Sequence, residues 1–286
     1  MEIEQYIVSR ANEVLGTDDT KIIKRLLGGM SNYTYVVESK GKRYTYRVPG
    51  KNAEVFVDRD DELACVKAVA PLGLNNETIY FDTKSGEKMA VYVDGTILSD
   101  TDIVSYNEVV VKSLKKLHGS AVSLPDYDPS GRLFSYERLC EEQGFTHPAE
   151  YHELKEKLGK VNASLPERPE VPCHCDFQTT NLVMGADRLY VLDWEFAGMN
   201  DPFYDIACYG NTNMEVAESL LKAYVGHEPS DEELRRLYSL RAFQCLQWYN
   251  VATFKDKVGL SEELKTDFGA VAKFFFDNAR ELIGKC

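Results

Sequence analysis

Residues 171–195, VPCHCDFQTTNLVMGADRLYVLDWE, hold the densest grouping of side chains able to do chemistry. Cys173, His174, Cys175 and Asp176 are contiguous, which raises a metal or redox centre first. Structural zinc takes four ligands, usually as two separated pairs, and no second Cys/His pair follows downstream. On an extended chain alternate residues face opposite ways, so Cys173 and Cys175 part from His174 and Asp176. The thiols thus drop out, and the oxygen-bearing side chains remain.

Two apolar runs, NLVM and LYVLD, flank GADR, so residues 181–184 and 189–193 are expected to pair as antiparallel strands around a turn at 185–188. If Met184 faces Tyr190, the register also sets Val183 against Val191, Leu182 against Leu192 and Asn181 against Asp193. Asp176 lies one short loop upstream, and the three side chains are expected to converge. Magnesium favours oxygen ligands and keeps some waters, so Asn181, Asp193 and nucleotide phosphates form a sensible magnesium site. Asp176, outside that shell, is free to accept a proton from an attacking hydroxyl. Such a division of labour is phosphoryl transfer. Taken singly, each residue could equally cap a loop or end a strand.

The elements that must position these residues follow from periodicity. Ile3, Ile7, Ala11, Val14 and Leu15 form one helical stripe ended by Gly16. Residues 22–50 read as two β-rich runs joined by Ser39-Lys40-Gly41, with Gly28-Gly29 before the first full strand. A helix is expected around Leu63, Val66 and Val69, then strands at 78–82 and 88–93. Helical patterns follow at 104–117, 148–165, 214–225, 231–255 and 261–283, the 231–255 helix opening on a Ser230/Glu233 capping box. A β-rich first third and a helical remainder broken by one hairpin make an α+β chain, with the lobes expected to divide at Asp94-Gly95 into 1–94 and 95–286.

Composition narrows the function classes. At 286 residues the chain is long enough for two cooperating lobes, and 44% hydrophobic with 28% charged residues argues against disorder. Thirty-three basic against 46 acidic residues give a net charge of -13, which disfavours nucleic acid or an anionic membrane and suits a cationic small molecule. The charged start MEIEQYIVSR resembles no signal peptide, and no apolar run could insert in a membrane. The seven scattered cysteines lack a disulfide framework, so a cytoplasmic protein with reduced thiols is expected. Oligomeric state is written in no pattern of the sequence.

His174-Cys175-Asp176 with Asn181, followed by Leu192-Asp193-Trp194-Glu195, resembles the H-x-D-x-x-x-x-N and (I/L)-D-(W/F)-E signatures of the kinase-like phosphotransferases, and Ala197 to Ala207, AGMNDPFYDIA, resembles the choline and ethanolamine kinases, particularly the bacterial LicA type. The resemblance implies a two-lobed protein-kinase-like fold, with an antiparallel β-sheet lobe binding the nucleotide and a larger, mainly helical lobe carrying catalysis. It implies Asp176 as catalytic base, Asn181 and Asp193 as magnesium ligands, and Asp205 as a structural support of the catalytic loop. LLGGMSN, 26–32, occupies the place of the nucleotide loop, with Gly29, Ser31 and Asn32 near the phosphates of ATP. Arg47, in YRVPG, stands where protein kinases carry a lysine, with Glu62 as its helix partner. The strand 89–95 falls where backbone groups would meet adenine.

A quaternary ammonium head donates no hydrogen bonds, so aromatic faces and nearby negative charge must hold it. Position in the family pattern implies Glu195, Tyr204, Tyr209, Trp248 and Tyr249 around such a head, with Gln178 and Asp176 near the acceptor. Arg241, Gln244, Cys245 and Trp248 share one helical face that suits a pocket wall. Only one tryptophan stands on that helix where relatives often carry two, which leaves choline against ethanolamine open. The implied activity is ATP- and magnesium-dependent phosphorylation of choline. The alternatives are a kinase of the same fold acting on ethanolamine, an aminoglycoside or another amino alcohol, and a non-catalytic kinase-like binding protein.

Overall fold

The computed structural model describes residues 3–26 and 32–286. Ile7 and Ala11, one turn apart on α1 (Ile3–Leu15), are both fully buried, and Gly16 ends the helix at φ 61°, a conformation that costs glycine nothing. The two side chains share an apolar cluster with Tyr35, Val37, Tyr46 and Met89. Those residues come from a five-stranded antiparallel sheet of β1 (Lys21–Leu26), β2 (Asn32–Ser39), β3 (Lys42–Pro49), β4 (Thr78–Phe81) and β5 (Lys88–Val91), in the order β1-β2-β3-β5-β4. Between β2 and β3 the two-residue turn Lys40-Gly41 has φ of 50° and 73°, the handedness that matches strand twist. Where two strands were expected before residue 50 there are three. β1 is an edge strand, largely exposed, and so carries no clear apolar alternation.

α2 (Arg59–Val69) begins at Asp58, whose carboxylate accepts the amides of Asp60 and Asp61 at 2.9 and 3.1 Å. Short strands follow along the chain: β6 (Gly95–Ile97), β7 (Val171–Cys173), β8 (Leu182–Gly185), β9 (Leu189–Val191) and β10 (Gly198–Asn200). β6, β8 and β9 make one antiparallel sheet, and β7 pairs with β10. Gly95 opposes Gly185 so closely that any side chain at 95 would collide with the Met184 carbonyl.

The expected hairpin register is off by one residue. Leu182 faces Val191, Val183 faces Tyr190 and Met184 faces Leu189, because Gly185 already pairs with Arg188 and the turn is only Ala186-Asp187. A two-residue turn is the tightest closure for antiparallel strands, and the broader turn assumed at 185–188 displaced every partner.

The helices are α3 (Asn107–His118), α4 (Pro129–Glu142), α5 (Ala149–Ser164), α6 (Phe203–Tyr209), α7 (Met214–Val225), α8 (Asp231–Lys257), α9 (Leu260–Leu264) and α10 (Phe268–Lys285). The capping box at Ser230 and Glu233 is present. The helix expected over 261–283 is instead α9 and α10, parted by Lys265 at φ 53° and restarted by Asp267, which accepts the Ala270 amide at 2.9 Å. α8 packs against α4, α5, α6 and α10, so it is buried nearly all round.

The chain divides into two compact units. The first comprises Met1–Thr101, Ala121–Pro125 and Thr180–Ala197; the second comprises Asp102–Ser120, Asp126–Thr179 and Gly198–Cys286. An antiparallel sheet unit and a helix-rich unit give the α+β class. No helix among the described residues is long and apolar enough to cross a membrane.

Candidate active site

In the first unit an ion cluster forms where β3, α2, β5 and the segment after β9 meet. Arg47 on β3 lies opposite Lys88 on β5, and the Arg47 guanidinium donates to both oxygens of Glu62, at 2.7 and 2.8 Å. This is the bidentate geometry for which a planar guanidinium is suited. Its second terminal nitrogen also donates to the Gly86 carbonyl at 3.1 Å. The pairing expected of Glu62 is present, and two cations not foreseen join it. Arg59 Nη1 reaches Glu62 at 2.6 Å and Glu195 at 2.8 Å, and Lys88 Nζ stands 3.3 Å from Glu62. Arg59 lies three residues before Glu62 on α2, a spacing that could have pointed to it.

Burial alone would push the Glu62 carboxyl up, but the charges of Arg47, Lys88 and Arg59 overcome this and hold it at about 2. Burial, then the Arg47 charge, lowers Lys88 despite Glu62. Asp193 lies 3.9 Å and Glu195 3.6 Å from Arg47 Nη1. Asp193 is pushed up by burial and by the Glu195 carboxylate, with Arg47 pulling the other way; its side chain keeps 39% exposure, so solvent moderates the push. A carboxylate crowded by carboxylates favours a bound cation, which would reverse the shift. Asp193 also adopts φ 63°, unusual for any residue but glycine.

The Asn181 carbonyl accepts the Leu192 amide at 2.8 Å, which sets Asn181 beside the residue preceding Asp193. Asn32 Nδ2 stands 3.4 Å from Glu195. Gly29 and Ser31 lie outside the described residues. Arg47 Nε and Arg59 Nη2 are buried donors without a hydrogen-bond partner among the described residues. Unsatisfied buried donors are costly, and these two, on guanidinium groups beside Asp193 and Glu195, could each take an anionic oxygen.

In the second unit the loop after β7 is held by Asp205, a fully buried residue of α6. Its carboxylate accepts the His174 amide at 2.9 Å and the Cys175 amide at 2.7 Å, and faces His118 Nε2 at 3.1 Å. His118 Nδ1 faces the Tyr224 hydroxyl at 2.9 Å, so the network assigns the ring proton to Nε2. Cys175 has φ 61°, a left-handed turn stabilised by the two amide bonds to Asp205. Asp176 emerges from this turn 7% exposed, with Gln178 Nε2 3.2 and 3.1 Å from its two oxygens.

The Cys173-His174-Cys175-Asp176 run forms no common ligand set. His118, Cys173 and Asp205 do offer atoms within 4.8 Å of one another, but Cys173 Sγ donates toward the Asn200 and Asp201 carbonyls at 3.6 Å and Asp205 already serves two amides and a histidine. Among the described residues no cysteine forms a disulfide.

The aromatic candidates separate. Tyr204 is buried, its hydroxyl 3.0 Å from that of Tyr127 and 2.6 Å from Gln247 Oε1. Tyr209 is buried with its hydroxyl 3.4 Å from the Ile103 carbonyl. Trp248 is half-buried and stacks on Phe275 at 6.4 Å. Tyr249 points to another side of α8, with ring neighbours Tyr151 at 5.5 Å and Phe276 at 5.0 Å. Of the expected polar stripe on α8, Arg241, Gln244 and Cys245 are buried rather than lining open space.

A β-sheet unit whose arginine is clamped by a helix glutamate, and a helical unit that presents a loop aspartate, define the protein-kinase-like phosphotransferase class. The sequence model of the phosphotransferase enzyme family, APH, matches residues 22–238, and the chain belongs to that family. It is 27% identical over 217 residues to Protein LicA of Haemophilus influenzae, spanning 69% of this chain and 61% of that protein. The crystal structure of choline kinase LicA from Streptococcus pneumoniae superposes with TM-score 0.83 at 24% identity, covering 100% of both chains. A choline/ethanolamine kinase family protein from Mesorhizobium loti superposes with TM-score 0.73 at 26% identity, over 92% of this chain and 87% of that one. Within the family, the likeness is to the choline and ethanolamine kinases.

Proposed function

We propose that the protein transfers the γ-phosphoryl group of ATP to the hydroxyl of choline, giving phosphocholine and ADP. The observation that carries this reading is the pair of buried guanidinium donors, Arg47 Nε and Arg59 Nη2, that find no partner among the described residues in the cluster that holds Asp193 and Glu195. Such donors suit phosphate oxygens, and Glu62, by taking both terminal nitrogens of Arg47, fixes the guanidinium plane from which Nε projects. In this reading residues 1–94 serve the nucleotide and 95–286 serve catalysis and the acceptor, with Asn181 and Asp193 as the exceptions of the hairpin that act on phosphate.

The donor set of Asn181 and Asp193 is all oxygen, and Asp193 is a partly exposed carboxylate beside both Glu195 and Arg47, so the two fit a hard divalent ion. Magnesium held there would neutralise charge on the phosphates. Asp176 accepts the proton of the acceptor hydroxyl as its oxygen attacks the γ-phosphorus and the bond to ADP breaks. Gln178 orients the Asp176 carboxylate, and Asp205 fixes the backbone from which it projects. Glu195 supplies negative charge toward a cationic head, and Trp248, the half-buried ring of the expected set, is the one proposed to meet it.

The test is an ATP-consumption assay with choline, ethanolamine and kanamycin as separate acceptors. Choline turning over most efficiently supports the reading; ethanolamine or kanamycin preferred would move it to another kinase of the same fold. No turnover of any acceptor would leave the binding-protein alternative.

A further inference from the structure

Arg241 is 2% exposed, and among the described residues no carboxylate pairs with it. A buried cation is expensive unless its donors are satisfied and an opposite charge lies within reach. Its Nη1 donates to Gln244 Oε1 at 2.9 Å, and its Nη2 donates to Asn211 at Oδ1 and, at 3.2 Å, to the backbone carbonyl. Asn211 Nδ2 in turn donates to Gln178 Oε1 at 3.1 Å, and Gln178 Nε2 donates to both oxygens of Asp176.

The polarity of this chain is forced at both ends. A guanidinium only donates, so Asn211 must turn its oxygen to Arg241 and its amine to Gln178. An ionised carboxylate only accepts, so Gln178 must turn its amine to Asp176. Both amides then have a single allowed orientation, and the buried charge on Arg241 is linked to the buried charge on Asp176 through two side chains. The Cys208 thiol, 3.9 Å from Asp176, is influenced by both: burial and then the Asp176 charge push it up, while Arg241 pulls it down.

We propose that Arg241 and Asn211 are positioning residues for the base: through Gln178 they hold the Asp176 carboxylate in the one orientation from which it takes the acceptor proton. Neither residue touches the reacting atoms. The inference rests on Asp176 being the base, and it extends that reading to residues 35 and 65 positions further along the chain.

Asn211→Asp separates this role from a packing role. An aspartate at 211 still accepts from Arg241 but cannot donate to Gln178, so the ion pair improves while the relay is cut. Expected are an unchanged or raised thermal midpoint, an unchanged KM for ATP, and a kcat about 10- to 100-fold lower, the scale of a misplaced catalytic group. Asn211→Ala, at a half-buried position, should lower kcat equally. Combining it with Arg241→Gln should cost no more than the worse single change, because the links act in series. A kcat within about twofold of wild type in Asn211→Asp, or effects that multiply in the double variant, would overturn the relay. A crystal structure of Asn211→Asp gives a readout without turnover: Gln178 should leave Asp176, and its staying on both oxygens refutes the proposal. Wild-type protein inactive on every acceptor would refute the function instead, and the crystal structure would still decide the relay.

Discussion

Both oxygens of Glu62 are taken by the terminal nitrogens of Arg47, at 2.7 and 2.8 Å, with both side chains buried. Breaking one half of a buried pair strands the other charge. Glu62→Ala is therefore expected to lower stability by about 3–5 kcal/mol, read from urea unfolding, and to raise the KM for ATP as Arg47 loses its orientation.

Acid should act through the same group. Glu62 titrates at about 2 in the folded chain against an ordinary 4.5, so the unfolded chain binds the proton first as pH falls. Its contribution is complete above about 4.5 and is lost between there and about 2. Unfolding free energy followed across that window should fall less steeply in Glu62→Gln than in wild type, and an identical slope would contradict the assignment.

Asp205 accepts two amides of the loop that presents Asp176. Asp205→Ala removes the carboxylate that accepts both amides, at a cost of about 2–4 kcal/mol. Hydrogen exchange of the His174 and Cys175 amides should accelerate well before global unfolding, together with a fall in kcat.

Asp176→Ala is expected to reduce kcat by about 10²- to 10⁴-fold while ATP still binds, measurable by calorimetry alongside turnover. Adding EDTA should stop wild-type turnover, and excess magnesium should restore it. Turnover that persists in EDTA would remove Asn181 and Asp193 from their proposed role.

For the acceptor, Trp248 is the half-buried ring of the expected set. Trp248→Leu should raise the KM for choline by about 2- to 30-fold, the range of one cation–π contact, and leave the KM for ATP alone. Equal shifts in both constants would point to a folding defect at the Phe275 stack.

Local sequence determined a good deal of this protein. The stripe of Ile7 and Ala11, the Lys40-Gly41 turn and the Ser230 capping box each depend on residues within one or two turns of chain, and each appears where its spacing predicts. Glu62 was likewise legible as the partner of Arg47. Tertiary structure alone decided the rest. Three-residue strands such as β6, β7 and β10 are too short to show a period, and pairing with β6 is one of the links that tie residues 180–197 to the rest of the first unit. The hairpin register turned on a single residue of turn length. Arg59 and Lys88 reach Glu62, and Arg241 reaches Asp176 through two amides, only after distant segments pack. Periodicity specifies which face of an element is buried; which polar side chains meet there depends on how the chain returns, and that information is not local.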